Sequence, residues 1–291
     1  MSQPAPESTP HNDASPTSAG LFKSGRQAEM DGELEKARQA YEMALASSPD
    51  QHPWHYRLGC VFMKLGLPER AEHCFSRALE LEPGTPSYLT NLGVCLDRQG
   101  RRDEAVRAYR KSTHQEGAGP VAFHNLGAIY AEEGRSDEAI RAFESALALE
   151  QDAEGYQNLG LVHYAREDFV RALDCFERSV ECDPGFALGH YYAALCLMKS
   201  GIYQDACLRF DLAWKLDSRL ARIPYYRGTC LHKMERYEEA RASLENALEF
   251  FPEDGRTHYQ IALTCDALGM PQEARLHYSQ ARAARKSGGH P

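Results

Sequence analysis

A repeat of about 34 residues is the feature that most constrains how this chain can fold. Eight alanines mark the repeat, spaced 34 residues apart except for one interval of 33 between Ala139 and Ala172. The marking alanines are Ala37, Ala71, Ala105, Ala139, Ala172, Ala206, Ala240 and Ala274. A large apolar residue follows each alanine by four positions, and a small residue follows by seven. Such a period predicts a solenoid, in which each unit contacts mainly its neighbours.

The spacing within each unit predicts an α-helix with one apolar face. Residues at i, i+4 and i+7 lie on the same side of a helix, so Ala139, Phe143 and Ala146 share a face. The bulky ring fills the space that its small neighbours leave. Gly134 falls in the turn that precedes this helix, and Asp137 places negative charge near its N-terminus.

This pattern resembles the tetratricopeptide repeat, a helix–turn–helix unit of 34 residues. The second half of the family pattern occurs in all eight units, with Leu244 replacing an aromatic ring in one. The first half is clearest in the Leu-Gly pairs that end at Gly59, Gly93, Gly127 and Gly160. The resemblance implies an all-α fold, a right-handed superhelical solenoid of about eight tetratricopeptide helix–turn–helix repeats.

The period also predicts the organisation of the chain. A solenoid over 18–286 contains repeats at about 18–51, 52–85, 86–119, 120–152, 153–186, 187–220, 221–254 and 255–286. The Pro- and Ser-rich stretch 1–17 is expected to be a disordered tail, and 287–291 a mobile C-terminal tail.

Composition limits the classes of function. The formal net charge of −9 argues against general nucleic-acid binding, which needs a basic face. The longest apolar stretch, Tyr191 to Met198, is too short to span a bilayer, and no secretory signal is visible. Nine cysteines without close pairing are interpreted mostly as packing residues in a reducing compartment, so we expect a cytoplasmic protein. Neither a metal nor a cofactor is expected.

In the family that the repeat resembles, the first helices of the units line a concave groove. Asn91, Asn125 and Asn158 occupy the sixth position of three consecutive units. They are similar to an asparagine ladder that holds a peptide backbone in the repeat domain of O-linked N-acetylglucosamine transferase. An amide offers a donor and an acceptor to each peptide unit, although asparagine is also a common family residue at this position.

Further groove residues are expected at the fifth and sixth positions. They are Tyr56, His124, Gln157, Tyr191, Tyr192, Tyr225, Tyr226 and Tyr259. The tyrosines make the later part of the groove aromatic, which suits a binding surface, although packing alone also explains them. Arg227 stands where leucine is usual, either as a stem packed on the surface or as a ligand contact.

No catalytic motif accompanies the repeat. We find no phosphate-binding loop, His-Glu-x-x-His sequence or nucleophile elbow, and no three successive units carry the carboxylate-clamp set for chaperone tails. The sequence therefore predicts a non-enzymatic scaffold or adaptor whose groove binds an extended peptide or helix of a partner protein. The alternative is a self-associating structural assembly protein, which leaves a homo-oligomer open. An enzyme or a thiol-dependent regulator is a third hypothesis.

Overall fold

The computed structural model describes residues 17–287, and in that range the secondary structure is helical with no strand. The sixteen helices there are α1 (Ser18–Met30), α2 (Leu34–Ser47), α3 (His52–Lys64), α4 (Pro68–Leu81), α5 (Pro86–Arg98), α6 (Arg102–Thr113), α7 (Pro120–Glu132), α8 (Ser136–Leu149), α9 (Ala153–Ala165), α10 (Phe169–Cys182), α11 (Ala187–Lys199), α12 (Tyr203–Leu216), α13 (Ile223–Lys233), α14 (Tyr237–Phe250), α15 (Gly255–Ala267) and α16 (Pro271–Ser287). The predicted all-α fold of helix pairs is confirmed.

The two predicted tails lie almost wholly outside the described residues. Thr17 is described, and its hydroxyl oxygen accepts a hydrogen bond from the Gly20 amide at 3.2 Å, which caps α1. At the other end α16 continues through Ser287.

The chain divides into two compact units between Ala122 and Phe123, within α7. In the first unit α1 packs on α2, α3 on α4 and α5 on α6. In the second unit the pairs α9 with α10, α11 with α12, α13 with α14 and α15 with α16 pack in the same way. Consecutive pairs also contact each other within each unit, so each unit is a stack of helix pairs.

The predicted apolar face forms the core of every pair. All eight marking alanines are buried, and so are seven of the eight large residues that follow them. The buried large residues are Tyr41, Phe75, Tyr109, Phe143, Phe176, Phe210 and Leu244. Truncating such a ring to alanine typically costs about 3–5 kcal/mol, so this face holds each pair together.

Glycine in the first helix lets the ring of the second helix approach closely. A Cβ added to Gly160 would lie 2.7 Å from Cε1 of Phe176, and one added to Gly93 would lie 2.5 Å from Cε1 of Tyr109. The turn within a pair also needs positive φ, as at Gly134 with φ 72°. Two turns achieve this without glycine, because Glu167 and Glu235 each adopt φ 60°.

Candidate functional site

Each predicted binding residue lies on the first helix of a helix pair. In the second unit α9, α11, α13 and α15 lie side by side. We define the first-helix face as the outward surface of these four helices and of the part of α7 that belongs to the second unit. His124, Asn125, Gln157, Asn158 and the five predicted tyrosines belong to it, whereas Tyr56 and Asn91 belong to the first unit.

The tyrosines at the fifth and sixth positions form one aromatic cluster. The rings of Tyr191 and Tyr192 meet edge to face with centroids 5.1 Å apart, and Tyr225 and Tyr226 repeat this arrangement at 5.3 Å. Tyr191 and Tyr226 join the two pairs, with centroids 6.2 Å apart. All four are half-buried, so each contributes to packing and still presents part of its ring to solvent.

The cluster rests on the core rings beneath it. Tyr192 stacks on Phe176 with centroids 5.2 Å apart, and Tyr226 stacks on Phe210 at 5.9 Å. Burial raises the pKa of Tyr191 and of Tyr225, so both phenols stay protonated at neutral pH and can donate hydrogen bonds. These tyrosines therefore pack against the core and also expose part of each ring to solvent.

Tyr259 continues the aromatic surface onto α15 and is its most open member. Its side chain is 47% exposed, and its ring meets Tyr278 edge to face with centroids 5.8 Å apart. A tyrosine exposed to this extent offers a large contact area without any change in its own packing.

The predicted amides differ in whether the protein itself satisfies them. In the first unit, Asn91 Nδ2 donates to the Tyr56 hydroxyl at 3.2 Å and to the Ser87 carbonyl at 2.9 Å. In the second unit, the side-chain amides of Asn125, Gln157 and Asn158 have no hydrogen-bond partner among residues 17–287. All three are half-buried, so the second unit presents amide groups that are free to bind a ligand.

Tyr56 and His124 have structural roles next to these amides. The Tyr56 ring stacks on Tyr88 with centroids 4.7 Å apart, and burial raises its pKa to about 12. His124 Nε2 lies 3.5 Å from an oxygen of the Asp152 carboxylate, which caps α9 by accepting from the Gly155 amide at 2.8 Å. His124 therefore contacts the start of the next first helix.

Basic side chains at the C-terminal ends of two first helices remain available. Lys199 ends α11 and Lys233 ends α13, both are exposed, and neither has an ion-pair partner within residues 17–287. In contrast, Arg222 pairs with Asp254 at 3.2 Å, and Arg227 Nε donates to Asp211 at 2.6 Å. The ion pair of Arg227 favours its interpretation as a packed structural side chain.

Family models match most of the chain. The model described as the middle tetratricopeptide-like domain of cilia and flagella-associated protein 70 matches residues 25–150. Two tetratricopeptide repeat models match 120–185 with 219–287, and 158–215. The chain is a tetratricopeptide repeat protein. No curated protein compared with this tetratricopeptide chain matches it significantly.

Solved structures with the same fold are tetratricopeptide proteins of low sequence identity. The C-terminal part of a repeat-containing protein from Cytophaga hutchinsonii is 14% identical, covers 82% of this chain and 99% of its own, and superposes with a TM-score of 0.68. The pilF protein of Pseudomonas aeruginosa is 21% identical over 71% of this chain and 94% of its own, with a TM-score of 0.60. YrrB, described as a tetratricopeptide protein with an unusual peptide-binding site, is 19% identical over 65% and 98%, with a TM-score of 0.56.

The structure adds Tyr164 to the candidate site of this tetratricopeptide protein. Tyr164 of α9 is half-buried and packs against the same core cluster as Tyr192 and Tyr226. Its signal was present in the sequence, because it occupies the twelfth position of its unit, another position that lines the groove in this family.

All nine cysteines are free thiols, and Cys207 and Cys230 lie near each other in the fold. The interaction between these two thiols lowers the pKa of Cys207 and raises that of Cys230. Burial raises the pKa of Cys74 and of Cys196 to about 12. Across the described part of the chain, no group of three or more histidine, cysteine and acidic side chains could hold a metal ion. No helix in that part is long and apolar enough to cross a bilayer.

Proposed function

We propose that this tetratricopeptide protein is a non-enzymatic scaffold that binds an extended segment of a partner protein along the first-helix face of its second unit. The observation that carries the proposal is the set of unpartnered amides, Asn125, Gln157 and Asn158, next to the tyrosine cluster of α11 and α13. A half-buried amide without a partner gains a hydrogen bond when a peptide backbone lies over it.

The geometry of packed helices suits an extended backbone. Neighbouring helices lie about 8–10 Å apart, and an extended chain advances about 3.3 Å per residue. One first helix therefore meets roughly every third residue of the segment. The amides hold the backbone with little regard to sequence, and the tyrosines beyond them contact side chains and select for apolar ones.

Charge defines the partner segment further. Lys199 and Lys233 stand exposed and without ion-pair partners in the described residues at the ends of α11 and α13. Acidic side chains flanking the apolar residues of the segment would pair with them, with the salt dependence that exposed charges show. The partner segment that fits is extended, has apolar residues at its centre and carries acidic residues beside them. The nine cysteines form no disulfide within the described residues and most are buried, which supports a cytoplasmic location.

A random peptide-display library selected on the purified protein tests this proposal. Peptides that bind are expected to be rich in aliphatic, Asp and Glu residues, and their affinities are measured by fluorescence anisotropy. The double variant Asn125→Ala/Asn158→Ala should bind them about 25-fold more weakly, since two hydrogen bonds contribute about 1 kcal/mol each.

The matched control is Asn246→Ala, which removes an exposed amide from α14, a second helix. Its affinity should equal that of the wild type. Equal binding by the wild type and the double variant would contradict capture by the amides. Failure to select any peptide that competes for this face would contradict the scaffold proposal itself.

A further inference from the structure

Three leucines form an exposed apolar stripe on α12, away from the first-helix face. Leu208, Leu212 and Leu216 are spaced by four residues, so they lie on one side of the helix. Their side chains are 55%, 46% and 46% exposed. The opposite side of α12 is buried and includes Phe210 and Ala213, so the leucines are not needed to hold α12 in its pair.

The stripe is a departure from the repeat pattern. The positions that hold Leu208 and Leu212 in α12 hold Arg141 and Ser145 in α8, and Asp174 and Arg178 in α10. Polar residues are the usual occupants of a solvent-facing helix surface. Exposed leucines at two positions that are polar in α8 and α10 are typical of a surface that another protein covers.

Charges border the stripe in a symmetric arrangement. Asp205 lies three residues before Leu208, and Lys215 lies three residues after Leu212, so the four residues are symmetric about Phe210. Both charged side chains are exposed, and neither has an ion-pair partner within residues 17–287. This end-to-end reversal of charge makes the surface complementary to itself in the antiparallel direction.

We propose that α12 packs antiparallel against α12 of a second copy of this chain, about a two-fold axis that passes opposite Phe210. Leu208 of each copy then contacts Leu212 of the other, and Asp205 of each pairs with Lys215 of the other. Such an interface is isologous, since the same patch serves both copies. Leu216 extends the contact toward the start of the second copy's α12, where Ile202 is 45% exposed.

The proposed interface is small, so we expect the dimer to be weak. One pair of helices of fourteen residues buries less than the roughly 1,200–2,000 Å² of a typical stable complex. The dimer should therefore dissociate in the micromolar range and leave the first-helix face of each copy free. Dimerisation through α12 does not require peptide binding.

Sedimentation velocity across the micromolar range, with the full chain, tests the pairing. The wild type should pass from monomer to dimer as concentration rises, and Leu208→Glu/Leu212→Glu should remain monomeric throughout. The matched control is Leu276→Glu, which removes a 56% exposed leucine from the same repeat position in α16 and should dimerise like the wild type. Circular dichroism checks that each variant is folded.

Charge exchange tests the antiparallel direction. Asp205→Lys alone places like charges opposite each other and should weaken the dimer, whereas Asp205→Lys/Lys215→Asp should restore it. A wild type that stays monomeric would overturn the proposal. A dimer that tolerates the double leucine variant, or one that the double charge exchange does not restore, would overturn it too.

Discussion

The close approach of Gly160 and Phe176 predicts that Gly160→Ala destabilises the protein, whereas helix propensity alone predicts the opposite. Alanine is a better helix former than glycine by about 1 kcal/mol, so Gly160→Ala on an open helix surface would be stabilising. Here the new Cβ would lie 2.7, 3.0 and 3.0 Å from three atoms of the buried Phe176 ring. Carbon atoms pack best at about 3.5–4.0 Å, so the ring or the helix must move by roughly 0.5–1 Å.

Overpacking of this kind costs about 1–3 kcal/mol and exceeds the gain in propensity. We therefore expect Gly160→Ala to lower the free energy of unfolding by about 1 kcal/mol. Urea unfolding followed by far-ultraviolet circular dichroism and by tryptophan fluorescence measures it, and coincident transitions justify a two-state analysis. An increase in stability of about 1 kcal/mol in the variant would refute the packing argument.

The reverse substitution, alanine to glycine, can be made in the next helix pair. Its first helix has Ala194 at the equivalent position, and both Ala194 and Phe210 are fully buried. Ala194→Gly loses about 1 kcal/mol of propensity and about 0.8 kcal/mol for the missing methyl group, so the unfolding free energy should fall by about 2 kcal/mol. Both substitutions are expected to destabilise because each pair is packed around its own residue.

Three further predictions concern stability and reactivity. Burial lowers the pKa of His163 and His190 in the folded protein, so the unfolded chain binds more protons near pH 6.5. The free energy of unfolding should therefore fall as the pH drops below about 6.5. Equal urea midpoints at pH 7.5 and pH 5.5 would contradict this. Glycine at either Glu167 or Glu235 would remove the strain of positive φ, so Glu167→Gly and Glu235→Gly should each raise the free energy of unfolding by up to about 1 kcal/mol in the same urea assay. A lower free energy of unfolding would show that the glutamate side chains stabilise the turn more than the backbone strain destabilises it. Iodoacetamide should label exposed Cys182 of the native protein fastest, as followed by peptide mass spectrometry; equally fast labelling of the buried cysteines would contradict the packing described.

The sequence predicted the helix pairs because one rule repeats in every unit. An alanine followed four residues later by a large apolar residue predicts a helix, and eight copies of that rule predict a stack. It could not predict that Asn91 is satisfied within the chain, since its partner, the Tyr56 hydroxyl, is 35 residues away and depends on side-chain conformation. It could have predicted that Leu208 and Leu212 of α12 are unusual, because the equivalent positions of α8 and α10 are polar.

The most direct test of the central claim is whether the protein binds the backbone of its ligand. A selected peptide is made with each backbone amide replaced in turn by an ester, which removes the N–H donor, and each version is titrated against the wild type and Asn158→Ala. We predict that one ester position weakens binding to the wild type about fivefold and leaves binding to Asn158→Ala unchanged, because each net hydrogen bond contributes about 1 kcal/mol. Ester effects of the same size in both proteins at every position would contradict backbone capture by Asn158.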